Sequence, residues 1–154
     1  MLFVFDLDFT LWDCDGTWCD HTQPPYKKQN GIIYDNYNRG ITLYPDVLDI
    51  LNQLKNDGIE MALASRTSAS SWAKELLELF NIDKFFRHKE IYPGSKLIHF
   101  RELHKKTIIG YEKMFFFDDE YRNIDEVQTL DVNCFFVKDG LNFKIINKAL
   151  KLVV

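Results

Sequence analysis

Asp6 and Asp8 stand two residues apart at the end of a short apolar run, Leu2–Phe5. Like charges that close are costly unless a cation compensates them or one is protonated. A second acidic pair, Asp118-Asp119, closes another apolar run, Lys113–Phe117. Hard carboxylate oxygens from two strand ends suit Mg²⁺, with water and phosphate oxygens completing the octahedron. Asn123 follows close behind, where it can orient a ligand carboxylate. Ser65 precedes Arg66-Thr67-Ser68 at a strand-to-helix junction, where a hydroxyl and free N–H groups suit an anion. Lys96, in Tyr92-Pro93-Gly94-Ser95-Lys96, falls at a helix N-terminus. The macrodipole prefers anions there, so a cation points to another use, such as holding a phosphate. Each residue also has a plain structural use, as a turn residue, a helix cap or a solvated charge. What argues for chemistry is the set.

Other chemistries find less support. Cys14, Cys19 and His21 supply three zinc-type ligands with no second Cys/His pair nearby, one short of a structural site. His21, His88, His99 and His104 show no metal spacing, and Gly94 and Gly110 form no phosphate-cradling loop or dinucleotide fingerprint.

The elements that must position the set alternate in kind. Leu2–Phe5 reads as a buried strand. Pro45 opens a helix carrying Val47, Leu48, Leu51 and Leu54, stopped at Asp57-Gly58. Ile59–Ala64 is a strand. Ser68 or Ser70 caps a helix with Trp72, Leu76, Leu79 and Phe80 on its apolar face. Phe85–Ile91 is a short strand, followed by a helix from about Ser95 to Lys105. The strand Lys113–Phe117, a helix from about Arg122 to Leu130, the strand Cys134–Val137 and a helix Phe143–Leu150 complete the order. Such alternation predicts an α/β fold, a mainly parallel sheet with helices on both faces. In sheets of that kind ligands bind beyond the carboxyl ends of the strands. Asp6, Asp8 and Thr10, then Ser65 and Arg66, then Asp118 and Asp119, and finally Lys138 and Asp139 all fall there.

With 154 residues the chain is expected to form a single domain over 1–154. Trp12–Asn38 is loop chemistry, with a small hairpin around Ile32–Tyr34 and Ile41–Leu43, so a loop and hairpin insertion is placed at about 12–42. A net charge of -4, from 23 acidic and 19 basic residues, argues against nucleic acid as a partner. No apolar stretch is long enough to span a bilayer. The start lacks a basic leader, and three cysteines suit a reducing compartment. A cytoplasmic protein with no membrane partner is the expectation.

The motifs resemble those of the haloacid dehalogenase superfamily. Asp6-Leu7-Asp8-Phe9-Thr10 is similar to its D-x-D-x-T signature, Ser65 to its second motif, Lys96 to its third and Asp118-Asp119 to its fourth. Leu43-Tyr44-Pro45, Ala64–Ser68, Leu76–Phe80, Glu90–Lys96 and Phe116–Glu120 resemble, more closely, the small eukaryotic magnesium-dependent phosphatase family. The resemblance implies a capless, three-layer Rossmann-like sandwich. It implies Asp6 as nucleophile and Asp8 as general acid and base. It implies phosphate contacts at Leu7, Asp8, Ser65, Arg66 and Lys96, with Thr10 and Asn123 in support. Mg²⁺ would be held by Asp6, the Asp8 carbonyl and Asp118 or Asp119, a choice the sequence leaves open. The implied substrates are phosphotyrosine and phosphorylated sugars or glycated amines, acted on by a monomer or weak dimer. Two alternatives share the scaffold: a phosphoacceptor receiver module and a non-catalytic binding protein. The first takes its phosphate on an aspartate after the third strand, where this chain has Tyr92-Pro93; the intact Asp6/Asp8 pair speaks against the second.

Overall fold

Four consecutive apolar residues, each wholly buried, form β1 (Leu2–Phe5). A strand alternates its side chains between faces, so a run with no polar position must be covered on both sides. In the computed structural model, which describes residues 1–153, β1 is the centre of a five-stranded sheet. Its neighbours are β6 (Glu60–Ser65) and β8 (Met114–Asp118), both parallel, with Phe5 level with Leu63 on one side and Phe117 on the other. β7 (His88–Ile91) pairs with β6 and β9 (Asn133–Phe136) with β8, again in parallel.

The alternation sorts the core into two layers. Phe3, Phe5, Met61, Leu63, Phe115 and Phe117 face one way. There they meet α1 (Val47–Asn56), α2 (Ser70–Leu79) and α5 (Phe143–Leu150). Leu2, Val4, Ala62, Ala64, Met114 and Phe116 face the other way. They pack on Phe100 and Leu103 of α3 (Lys96–Thr107) and on Ile124 and Val127 of α4 (Tyr121–Gln128). The α/β class expected from the alternation is the one observed. The sheet runs β7-β6-β1-β8-β9, so the chain leaves β1 toward one edge and returns to its other side at β8. The crevice between the carboxyl ends of β1 and β8 is the switch point where such sheets bind ligands.

The segment after β1 is more ordered than loop chemistry suggested. β2 (Trp12–Asp13), β3 (Lys27–Gln29), β4 (Ile32–Tyr34) and β5 (Gly40–Leu43) form a second, antiparallel sheet in the order β2-β5-β4-β3. Asp35 pins it: its buried carboxylate accepts the N–H groups of Gln23, Tyr37 and Arg39 at 3.0, 3.0 and 2.8 Å. Trp12, Cys14, Cys19, Ile33 and Ile41 join the same core as Phe5 and Leu63.

Boundaries shift by a residue or two. Ser65 and Asp118 are the last residues of their strands rather than the first beyond them. The run Phe85–Ile91 divides into a 3₁₀ turn, Asp83–Phe85, and the strand β7. Neither Ser68 nor Ser70 caps α2; its N-cap position is Ala69, whose N–H goes to Thr67 Oγ1 at 3.2 Å.

Phe3 sits 4.9 Å from the Phe115 ring and 5.4 Å from that of Phe117, between centroids, far along β1 from the acidic end. Phe3→Ala is expected to lower unfolding free energy by about 3–5 kcal/mol, read from denaturant midpoints. A loss below 1 kcal/mol would mean that this aromatic layer is not what holds the sheet's centre.

Candidate active site

The three middle strands, β1, β6 and β8, bring groups to the crevice, and α3 brings the cation that joins them. Lys96 is fully buried. Its ammonium lies 3.0 Å from Asp6 Oδ1 and 3.2 Å from Asp118 Oδ2, and it donates to the Ala64 carbonyl. The ends of β1, β6 and β8 are therefore tied through one side chain. Ser95 caps α3 by accepting the Leu97 N–H at 3.1 Å, and its own hydroxyl donates to Glu126 on α4. The helix start that carries Lys96 is held from two sides.

Asp118 is wholly buried. Besides Lys96, it accepts the Glu120 N–H at 2.8 Å and the Asn123 amide at 3.1 Å on Oδ2. Asn123 Oδ1 accepts Arg66 Nη1 at 3.1 Å, so that amide links the ends of β6 and β8. Asp119 differs. It lines a cavity of about 320 Å³ together with Asp6, Asp8, Ser65 and Lys96, whereas Asp118 does not. Asp6, Asp118 and Asp119 each place one oxygen within 4.8 Å of the others, the one such cluster among the described residues. Cys14, Cys19 and His21 form no such group.

Three carboxylates face a single ammonium here, an excess of negative charge in a buried place. Burial, and then the charge of Asp6, push the carboxyl of Asp118 up to about 6 and that of Asp119 up to about 9. Burial raises Asp6 as well, opposed by Lys96. All-oxygen donors that take up protons for want of countercharge fit a hard divalent cation such as Mg²⁺.

Asp8 stands apart from that cluster, with no cation against it. Its Oδ1 accepts Trp12 Nε1 at 2.8 Å and the Cys19 N–H at 3.0 Å. Burial raises its pKa, and the charge of Asp20 adds to this, while the Trp12 and Cys19 donors oppose the shift. Both donors come from the segment that forms the second sheet. The same segment supplies Trp18, Asp20 and His21 to the cavity mouth. Thr67, whose hydroxyl lies 3.3 Å from Cys19 Sγ, joins that segment to the turn after β6.

Of the residues singled out in the sequence, Asp6, Asp8, Ser65, Arg66, Lys96, Asp119 and Asn123 all line the one cavity. Asp118 lies behind it. Leu7 is buried in the core, and its carbonyl accepts the N–H groups of Thr10 and Leu11, closing the turn after β1. Thr10 is fully buried and its Oγ1 has no partner among the described residues; its carbonyl accepts the Leu141 N–H at 2.9 Å. Lys138 and Asp139 line a neighbouring groove with Phe9 and Tyr44 instead. The roles of Trp12, Cys19 and the mouth residues were not readable, since no local spacing marks them.

Comparison with known proteins agrees with this picture. An acid phosphatase family model matches residues 1–153. Magnesium-dependent phosphatase 1 of Homo sapiens is 44% identical over 152 residues, covering 97% of this chain and 85% of that protein. A HAD-like hydrolase superfamily protein of Schizosaccharomyces pombe is 39% identical over 142 residues, covering 84% and 80%. A solved HAD family enzyme of Bacteroides thetaiotaomicron, in complex with magnesium and inorganic phosphate, superposes with a TM-score of 0.68 at 14% identity. That alignment covers 94% of this chain and 98% of the other.

The raised carboxyls make metal binding depend on pH. A folded-state pKa above the usual 3.8 means that the metal-free fold holds protons the unfolded chain releases. The stability this confers is complete below pH 3.8 and is lost as pH rises through about 6 and then about 9. Mg²⁺ must displace those protons, so its affinity climbs over the same window. Saturating Mg²⁺ is expected to raise Tm more at pH 8 than at pH 5, by differential scanning fluorimetry. Equal shifts at the two pH values would remove these carboxylates from the metal site.

Proposed function

The chain belongs to the magnesium-dependent phosphatase family of the haloacid dehalogenase superfamily, and we propose that it cleaves phosphomonoesters through an aspartyl-phosphate formed on Asp6. The observation that carries this reading is the contrast between two aspartates on one cavity. Asp6 has an ammonium at 3.0 Å, which favours its carboxylate against the burial that raises its pKa. Asp8 has only neutral donors and a raised pKa, which suits a group that carries a proton.

In the first step a carboxylate oxygen of Asp6 attacks phosphorus, and Asp8 gives its proton to the departing alkoxide. In the second, Asp8 takes a proton from water as its oxygen attacks phosphorus. The bond to Asp6 breaks and inorganic phosphate leaves. Ser65, the Leu7, Asp8 and Arg66 main chain and Lys96 hold the phosphoryl oxygens meanwhile, and Thr10 and Asn123 brace the turns on either side. Asp6, the Asp8 carbonyl and Asp119 are the groups to hold magnesium; Asp118 completes the cluster from behind, occupied by Lys96, Asn123 and the Glu120 N–H. Magnesium, when bound, supplies positive charge against the phosphoryl oxygens.

The substrates we assign are phosphotyrosine and phosphorylated sugars or glycated amines. What supports them is the mouth, where Trp18, 47% exposed, offers a flat face to a ring-bearing leaving group. We read residues 1–154 as one domain, acting in the cytoplasm as a monomer or weak dimer. Its three cysteines are unpaired, and no helix among the described residues is long and apolar enough to cross a membrane.

Hydrolysis of p-nitrophenyl phosphate should require Mg²⁺, stop on adding EDTA, and fall to background in Asp6→Asn. Wild-type turnover in that variant would overturn the nucleophile. Asp8→Asn should lower kcat/KM, which reports the first step, by about 10²–10⁴-fold on an alkyl phosphate and much less on p-nitrophenyl phosphate, whose leaving group needs no proton, while kcat falls on both because the second step needs Asp8 as base. Equal losses of kcat/KM on both substrates would show that Asp8 is not the acid.

A further inference from the structure

His99 is fully buried on α3, one turn beyond Lys96, and no step above uses it. Only carbonyl oxygens meet its ring nitrogens. Nε2 lies 3.0 Å from Ser65 O and 2.9 Å from Tyr92 O, and Nδ1 lies 3.0 Å from Ser95 O. The ring is stacked flat on Tyr92, 4.4 Å between centroids and 10° from parallel.

Burial lowers the pKa of His99, and the nearby Lys96 charge adds to this, against the three carbonyls, which raise it; the net shift is downward, so the imidazole is neutral and carries one N–H. Its place follows from the carbonyls. A proton on Nδ1 would serve Ser95 O, which already accepts the Ile98 N–H at 3.0 Å. It would leave the Nε2 lone pair against two oxygens. A proton on Nε2 serves both Ser65 O, which also accepts the Tyr92 N–H at 3.0 Å, and Tyr92 O, which has no other donor among the described residues. The Nε2–H tautomer leaves one opposed contact in place of two.

Ser65 O is one end of the peptide group whose other end is the Arg66 N–H. That N–H donates to no described residue, and Arg66 lines the cavity. A donor on a carbonyl draws electron density through the amide and makes its N–H a stronger donor, by about 10–30% per bond in a chain. We propose that His99 is a positioning residue for the phosphate site: its Nε2–H grips the Ser65 carbonyl, fixing and polarising the Ser65–Arg66 peptide so that the Arg66 N–H faces a phosphoryl oxygen. Because His99 and Lys96 share the first turns of α3, the same contact sets the spacing between that N–H and the ammonium. The proposal rests on the placing of phosphate at Ser65 and Arg66 made above.

Two measurements test it. In ¹⁵N-labelled protein, NMR should show Nε2 protonated and Nδ1 bare, and inorganic phosphate should shift the Nε2 resonance in the Asp6→Asn protein. A bare Nε2, or a resonance indifferent to phosphate, overturns the proposal. For His99→Phe, kcat/KM and the inhibition constant for inorganic phosphate should both worsen about tenfold, while the Mg²⁺ activation constant stays put. His99→Gln keeps an N–H donor and should recover phosphate affinity to within about threefold of wild type. Unchanged phosphate affinity in His99→Phe, or equal losses in both variants tracking Tm, would leave His99 a packing residue. The labelled Asp6→Asn experiment needs no turnover, so it judges His99 even if the aspartyl-phosphate is wrong.

Discussion

A buried ammonium is expensive to keep unless its charge is met at close range. Lys96 is met by Asp6 and Asp118, and those two contacts impose order on everything around them. Asp6 directly follows β1, Asp118 ends β8, and Lys96 begins α3, so the ion pairs are a three-way joint at the rim of the sheet. Removing the lysine would leave carboxylates facing one another without countercharge, while removing either carboxylate would leave a buried ammonium with one countercharge in place of two. The joint also explains why the site is short of positive charge: one cation serves three acids, and the shortfall is the site's attraction for magnesium.

The rest of the architecture delivers residues to that joint. Parallel strands all end at the same rim, which is why groups separated by more than a hundred residues meet there. Two-sided burial fixes which strands are central. β1 and β8 have no exposed position, so neither can lie at an edge. Their acidic ends are therefore flanked by neighbouring turns on both sides, and Asn123 and Arg66 close the space between them.

Much of this was legible. Leu2–Phe5 and Met114–Phe117 announce central strands by lacking polar positions, and acids directly after them must lie at a strand end. Lys96 announced itself by standing at the wrong end of a helix for its charge. The choice between Asp118 and Asp119 was not legible, because adjacent residues at a strand end point to opposite sides and only packing tells which side is the cavity. Of the second sheet the β4–β5 hairpin was legible, and the outer strands were hidden for a different reason. β2 has two residues and β3 three, the latter all polar and exposed, so neither shows a period. The contacts made by backbone groups were hidden as well. The Cys19 N–H on Asp8 and the Ser65 carbonyl on His99 use atoms that every residue carries, so no residue type marks them.

The donors that hold Asp8, from Trp12, Cys14 and Cys19, lie in the same stretch of chain as Trp18, Asp20 and His21 at the mouth. With Asp8 as the acid proposed above, acid strength and the shape offered to the leaving group are inherited together. A lineage that reshaped this stretch to admit a new alcohol would retune the proton donor in the same stroke. Descendants of one scaffold should then diverge in pH optimum whenever they diverge in diet, with the strand-borne machinery unchanged beneath them.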